Sequence, residues 1–227
     1  MQDFNFNKYI SVSQKLYKNK YFINRNSNDP QRLLQFQLDS KFIRKFINSG
    51  NVCDVGCGTG EFLRNIKFKG NYYGIEINKK AKTIASDIIN FEKNIFTEKN
   101  FFDLVIFRGT IQHVDIPFQM IKSSYRSLKK GGYIIFLATP NSDSIVYKIF
   151  KTLPNLEPRL NFYIPSETTL TNILINFNFK IKEVQFSYYN SPYRNFFKDH
   201  LKFFLKFFLK KHKFPFYKSS MNICARK

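Results

Sequence analysis

The stretch Val52-Cys53-Asp54-Val55-Gly56-Cys57-Gly58-Thr59-Gly60 constrains the fold of this chain more than any other part of it. A short buried strand over Val52–Val55 runs directly into three glycines at alternate positions. An amphipathic stretch from Glu61 to Phe68 follows and reads as a helix. Glycines at such a junction let the backbone turn sharply and let a ligand approach it closely. Strand, tight loop and helix in that order begin a parallel βαβ unit.

The same rhythm recurs on both sides of the loop. Leu34, Leu38, Phe42 and Phe46, flanked by Ile43 and Ile47, predict a helix over residues 31–48, entered from a polar loop ending at Asp29-Pro30 and stopped by Ser49-Gly50. Residues 72–76 predict a second strand. Ala81, Ile84, Ala85, Ile88 and Ile89 predict a helix running to Ile89. A strand over 102–107, a helix over 117–130 closed by Gly131-Gly132, and a strand over 133–138 continue the series. Beyond Thr139-Pro140-Asn141 the rhythm loosens. Pro154, Pro158 and Pro165 punctuate a loop, Ser166 caps a helix containing Leu170, Ile173, Leu174 and Phe177, and 179–186 and 219–225 read as strands.

This pattern predicts one α/β domain over 1–227, doubly wound and Rossmann-like, with a mainly parallel sheet and an antiparallel last strand. Its expected parts are an N-terminal arm and helix (1–49), a cofactor-binding core (50–141), a substrate cover (142–178), and the last strands with a basic aromatic insert at 188–214 (179–227). Sheets of this kind bind ligands beyond the C-terminal ends of their strands.

Composition narrows the classes. Apolar residues make up 43% of the chain and charged residues 23%, ordinary globular usage. No apolar run is long enough for a spanning helix, and the N-terminus carries no secretory pattern. Three cysteines, Cys53, Cys57 and Cys224, lack metal-ligand spacing, so no metal site is expected and a reducing cytoplasm suits them. The 37 Lys and Arg against 16 Asp and Glu give a net charge of +21. Nucleotide bias is one source of that excess, since an AT-rich genome favours Lys, Asn and the 28 Phe found here. An anionic partner is the other.

Glu76 closes the second predicted strand, 22 residues after Asp54. A carboxylate there can accept from both hydroxyls of a ribose. The glycine spacing differs from the dinucleotide fingerprint G-x-G-x-x-G, because Glu61 stands where the third glycine belongs. A pyrophosphate at that helix start would meet a carboxylate, whereas a cationic cofactor would not.

At this point the sequence resembles the class I S-adenosylmethionine-dependent methyltransferases. V-C-D-V-G-C-G-T-G-E-F-L looks like their first motif and Gly74-Ile75-Glu76-Ile77 like their second-strand motif. Phe102-Asp103-Leu104-Val105 with Ile111-Gln112-His113-Val114 looks like the F-D-x-V…L-E-H-V stretch of the small-molecule branch. Leu128-Lys-Lys-Gly-Gly132 with Thr139-Pro140-Asn141 looks like L-K-P-G-G…P-N. These motifs run in family order over 50–141, about two fifths of the chain.

The resemblance implies S-adenosyl-L-methionine as cofactor. Asp54 would face its amino-acid part, and Gly56, Cys57, Gly58 and Gly60 would supply close backbone. Glu76 would hold the ribose with Ile77 beside the adenine, and Arg108 and Gly109 would lie near the methionine portion. The family's third strand, whose acid contacts the adenine, is not evident; Asp87 and Glu92 are the candidates for that contact. His113 is the expected general base for a hydroxyl acceptor, since imidazole titrates near neutrality. Gln112 replaces the usual Glu beside it.

The expected acceptor is a small molecule: a sugar, a glycan precursor or a lipid-linked intermediate. An RNA methyltransferase and a catalytically silent cofactor-binding scaffold are the alternatives. The [D/N/S]-P-P-[Y/F] motif of amino-methylating nucleic-acid enzymes is absent after the fourth strand, which reads Arg108-Gly-Thr-Ile111. Few Arg and no RNA-binding module argue against base reading. Within the insert, Lys198, Lys202, Lys206 and Lys210 form one stripe on a helix over 197–211, with Leu201, Phe204, Leu205, Phe208 and Leu209 opposite. Such a helix can pack on the sheet, touch an anionic membrane at the inner surface, or form a lid or a dimer contact.

Overall fold

The computed structural model describes residues 29–154, 156, 161–206, 208 and 213–227. Asp29 opens α1 (Pro30–Arg44) as its N-cap, its side chain accepting from the Gln31 N–H at 3.0 Å, and Pro30 occupies the first turn, where a missing N–H is harmless. The buried face of α1 is Phe36, Asp39, Ser40, Phe42 and Ile43. The expected stripe is therefore rotated. Leu34 lies 47% exposed, and an acid and a hydroxyl occupy the inner face in its place.

Seven strands form one sheet: β1 (Ser49–Val55), β2 (Lys69–Ile75), β3 (Ile89–Asn90), β4 (Phe102–Arg108), β5 (Leu128–Pro140), β6 (Lys180–Gln185) and β7 (Ser220–Arg226). Their spatial order is β3-β2-β1-β4-β5-β7-β6. The β1–β2, β2–β3, β1–β4 and β4–β5 pairs are parallel, and β7 runs antiparallel to both β5 and β6. The direction of winding reverses at β1 and β4, so a crevice opens beyond the C-terminal ends of those two strands.

Period-2 alternation divides the core between the two faces. Val52, Leu104, Ile106, Ile135 and Leu137 pack with Phe36, Phe42 and Ile43 of α1, with Phe62 and Leu63 of α2 (Glu61–Asn65), and with Ala85 of α3 (Lys79–Ala85). Cys53, Val55, Val105, Phe107, Ile134 and Phe136 pack on the other side. There they meet Met120 and Ile121 of α4 (Pro117–Ser127) and Leu170 and Leu174 of α6 (Glu167–Asn176). The remaining helices are α5 (Ile145–Phe150) and α7 (Phe196–Leu205).

Several boundaries differ from the sequence reading; α1, read over 31–48, ends at Arg44, and Ser49 and Gly50 already belong to β1. Helix α2 ends at Asn65 rather than Phe68, because Ile66 turns to extended backbone and Phe68 enters the core below β2. Helix α4 stops at Ser127, and Leu128 already pairs with Phe102. Helix α3 stops at Ala85, and Ile89 and Asn90 form β3 against Tyr72 and Tyr73. The third strand is present.

Candidate functional site

The loop that leaves β1 is built on backbone hydrogen bonds to β2. The N–H groups of Gly56 and Cys57 both donate to the Ile75 carbonyl, at 2.7 and 3.2 Å. Gly56 has φ +77°, and a Cβ there would stand 2.6 Å from the Thr110 methyl and 2.8 Å from its hydroxyl. The loop after β1 and the turn after β4 thus meet at a distance only glycine allows. Gly60, with φ +77°, is the N-cap of α2. The Cys57 side chain turns away into the core, where burial pushes its thiol well above the ordinary value, so this residue contributes backbone rather than a nucleophile.

Glu76, half-buried beyond β2, accepts from the Gly58 N–H at 2.8 Å and from the Asn78 N–H at 2.7 Å. It therefore ties the glycine loop to the second strand end. Each carboxylate oxygen carries two lone pairs, so holding the loop and accepting from a sugar diol are compatible roles. Ile77 follows it, half-buried against the core. Glu92 follows β3 and is exposed. Asp87, the other adenine-side candidate, is engaged by Arg64 on the outer surface.

Asp54 lies at the end of β1, 3% exposed, and its Oδ1 is buried without a hydrogen-bond partner among the described residues. Burial pushes its carboxyl up to about 7; the nearby Arg108 guanidinium pulls it down and Glu76 pushes it up. A buried carboxylate with such an oxygen is short of a hydrogen-bond donor.

Arg108, at the end of β4, donates from Nε to Asp39 Oδ2 at 2.8 Å, and its guanidinium lies 4.5 Å from the Phe36 ring centre and 5.1 Å from that of Phe62. Asp39 also accepts from Gln35 Nε2 at 2.8 Å. Helix α1 therefore closes one wall of the crevice through an ion pair that sequence reading missed. The signal was an acid at the i+3 place of a buried face, between Phe36 and Ile43. Arg32 likewise grips Glu61, with Nε to Oε1 at 3.0 Å and Nη2 to Oε2 at 2.5 Å. That pairing neutralises the Glu61 charge at the start of α2. Glycine spacing and the buried Asp54 carboxylate, rather than Glu61, then disfavour a dinucleotide.

Beyond β4, the Gly109 N–H donates to the Leu137 carbonyl at 2.8 Å, and a short 3₁₀ turn holds Ile111–His113. Gln112 is buried; its Nε2 donates to the Gly109 carbonyl at 3.0 Å and stands 3.3 Å from His113 Nε2. Because the Gly109 carbonyl can only accept, it fixes which end of the amide faces His113, and the imidazole Nε2 accepts there. The cover reaches the same turn, since the Phe162 N–H donates to the Gln112 carbonyl at 3.0 Å. Asn141, buried at the end of β5, accepts from the N–H groups of Asp143 and Glu167, each at 3.0 Å, and so anchors the cover to α6. Tyr163 in that cover is largely buried, and burial raises its phenol far above the usual range.

The structure thus gathers Asp54, Gly56, Gly58, Gly60, Glu76, Arg108, Gly109 and His113 on one rim, that of the strands' C-terminal ends. Residues 1–28 of the N-terminal arm and Pro158 of the expected substrate cover lie outside the described residues, as do Leu209 and Lys210 of the expected basic helix.

The comparisons agree with this architecture. A family model described as "Methyltransferase domain" matches residues 22–184. An uncharacterised protein of Methanocaldococcus jannaschii is 28% identical over 187 residues, covering 78% of this chain and 67% of that one. The mitochondrial ubiquinone biosynthesis O-methyltransferase of Saccharomyces cerevisiae is 28% identical over 142 residues, covering 53% of this chain and 46% of its own length. This chain therefore spans about half the length of that relative. A Thermotoga maritima structure described as a SAM-dependent methyltransferase superposes with a TM-score of 0.63 at 18% identity, covering 96% of this chain and 99% of the other, which shows the shared fold.

Proposed function

The chain belongs to the methyltransferase-domain family, and from that premise we propose that it transfers a methyl group from S-adenosyl-L-methionine to a hydroxyl of a small acceptor. When bound, this cofactor supplies a methyl already activated on a sulfonium. The carrying observation is the orphaned, buried Asp54 carboxylate beside the loop that Glu76 holds. A cofactor bearing a cationic amino group at one end and a ribose diol in its middle satisfies both acids; a dinucleotide offers Glu76 a ribose diol but sets no cationic amino group against Asp54. In this reading Gly56, Gly58 and Gly60 bring backbone against the ligand, and Ile77 lies beside its base. Glu92, which follows β3, supplies the acid for the adenine end. With β3 in place, the ground for a scaffold without chemistry falls away.

His113 is the proposed base. Gln112 Nε2 stands 3.3 Å from its Nε2, so that nitrogen exchanges the amide for the acceptor hydroxyl before it takes the proton. The Phe162 N–H bond to the Gln112 carbonyl sets the cover beside the turn that carries His113, and in this reading Leu153, Leu156 and Tyr163 keep water from the transfer. An O-methyl acceptor is supported by the name of the yeast relative. Among hydroxylated acceptors, an apolar or lipid-linked one suits a cover that presents Leu156, Phe162 and Tyr163.

Calorimetry tests the cofactor. S-adenosylmethionine should bind wild-type protein, and Asp54→Ala and Glu76→Ala should each weaken it by at least about tenfold, as expected for losing a charged hydrogen-bond acceptor. NAD should not compete. His113→Ala should leave that affinity within about twofold while lowering turnover on a responsive acceptor by about 10²-fold or more. Absence of binding in folded wild-type protein would overturn the proposal, and undiminished turnover would remove His113 as base.

A further inference from the structure

Helix α7 is packed inside out. Asp199, its only acid, is buried, accepting from the Tyr188 hydroxyl at 3.1 Å and the Asn195 N–H at 2.8 Å. Phe203 stacks on Phe216 at 4.8 Å, and Lys206 is buried with its ammonium 5.4 Å from the Phe150 ring centre. The lysine stripe expected on the solvent side is thus partly the packed side. The outward stripe is Phe197 (85% exposed), Leu201 (58%) and Phe204 (64%), extended past the helix end by Phe208 (85%). Single exposed apolar residues are ordinary; four at i, i+4, i+7 and i+11 make a face.

We propose that this face docks on an anionic lipid surface, with α7 lying in the plane of the membrane interface. Charge selects the occupant. Residues 180–227 carry 12 Lys and Arg against 2 Asp and Glu. Both acids are already engaged, Asp199 in the interior and Glu183 with Lys45 at 2.6 Å. The apolar stripe is therefore flanked by lysines such as Lys198 and Lys202, and neither acid of 180–227 is left to oppose them. A second copy of this chain would oppose like charge to like; anionic headgroups supply the opposite sign, and the acyl region takes the aromatic rings. At ten residues, α7 extends only about 15 Å, half the hydrocarbon thickness of about 30 Å. Among the described residues no helix is long and apolar enough to cross a membrane. The segment leading into α7 also touches α1, where Gln31 Nε2 donates to the Pro192 carbonyl at 3.2 Å.

Vesicle flotation of the full chain, without cofactor or acceptor, tests this independently of the methyltransferase reading. Wild-type protein should float with vesicles of equal parts phosphatidylglycerol and phosphatidylcholine and far less with phosphatidylcholine alone. Phe197→Ser/Leu201→Ser/Phe204→Ser, three exposed sites with small expected folding cost, should lower the partition coefficient at least about tenfold at an unchanged melting temperature. Lys198→Glu/Lys202→Glu should lower binding only to the anionic vesicles. Because the chain has no Trp, Phe204→Trp supplies a single fluorophore whose emission should shift to the blue on those vesicles. Failure of the wild type to float, equal flotation of the triple-serine variant, or a vesicle-free dimer that this variant dissolves would each overturn the proposal.

Discussion

Asp54 carries a cost that only a ligand offsets. Its folded carboxyl titrates at about 7 against an ordinary 3.8, so the fold binds that proton more tightly than the unfolded chain does. Its contribution to stability is therefore greatest below pH 3.8, declines as pH rises, and has been lost above about pH 7. Asp54→Asn removes the charge and should stabilise the ligand-free protein while weakening the cofactor, and urea unfolding should show the gain growing between pH 5 and pH 8 to about 4 kcal/mol. A cationic amino group seated against Asp54 reverses the balance and expels the proton. Binding at pH 7 should then release about half a proton per cofactor. Calorimetry in buffers of different ionisation enthalpy measures that number, and Asp54→Asn should abolish it.

Helix α1 depends on a pair, Arg108 and Asp39, whose members lie 69 residues apart in the chain. Asp39 has a side chain 1% exposed and Arg108 one 17% exposed, so each compensates the other's desolvation. Arg108→Ala leaves an uncompensated buried carboxylate and should destabilise by about 3–5 kcal/mol. Arg108→Met/Asp39→Leu should recover most of that loss, and a double-mutant cycle by chemical denaturation measures the difference. Legibility in the sequence divides at the same level. The long strands β1, β4 and β5 and the capping Ser166 were readable because apolar runs and turn residues bound them, and the Ser166 side chain does accept from the Thr169 N–H at 3.0 Å. The two-residue strand β3 was not readable. Ile88 and Ile89 fit the helical template of α3, and so short a strand has no period of its own to oppose it. Asp39 and the inverted face of α7 escaped for another reason: pattern reading assigns charges to solvent, and at both places tertiary partners draw an acid inward.

At the scale of the whole molecule, a net charge of +21 surrounds a crevice lined by two acids. Most lysines among the described residues are exposed, so salt screens them strongly; Asp54 is buried and is screened less. S-adenosylmethionine carries one net positive charge and S-adenosylhomocysteine none. Raising ionic strength should therefore relieve long-range repulsion of the cationic ligand while sparing its short-range attraction. Its affinity should rise about two- to threefold between low and physiological salt, with that of the neutral product nearly constant. The same excess charge repels itself in the compact state, so the melting temperature should rise over the same interval. An RNA substrate behaves in the opposite sense, because its binding releases counterions and weakens steeply with salt. Titrations of both ligands at three ionic strengths thus separate a charge that merely surrounds the site from one that recruits a polyanionic substrate to it.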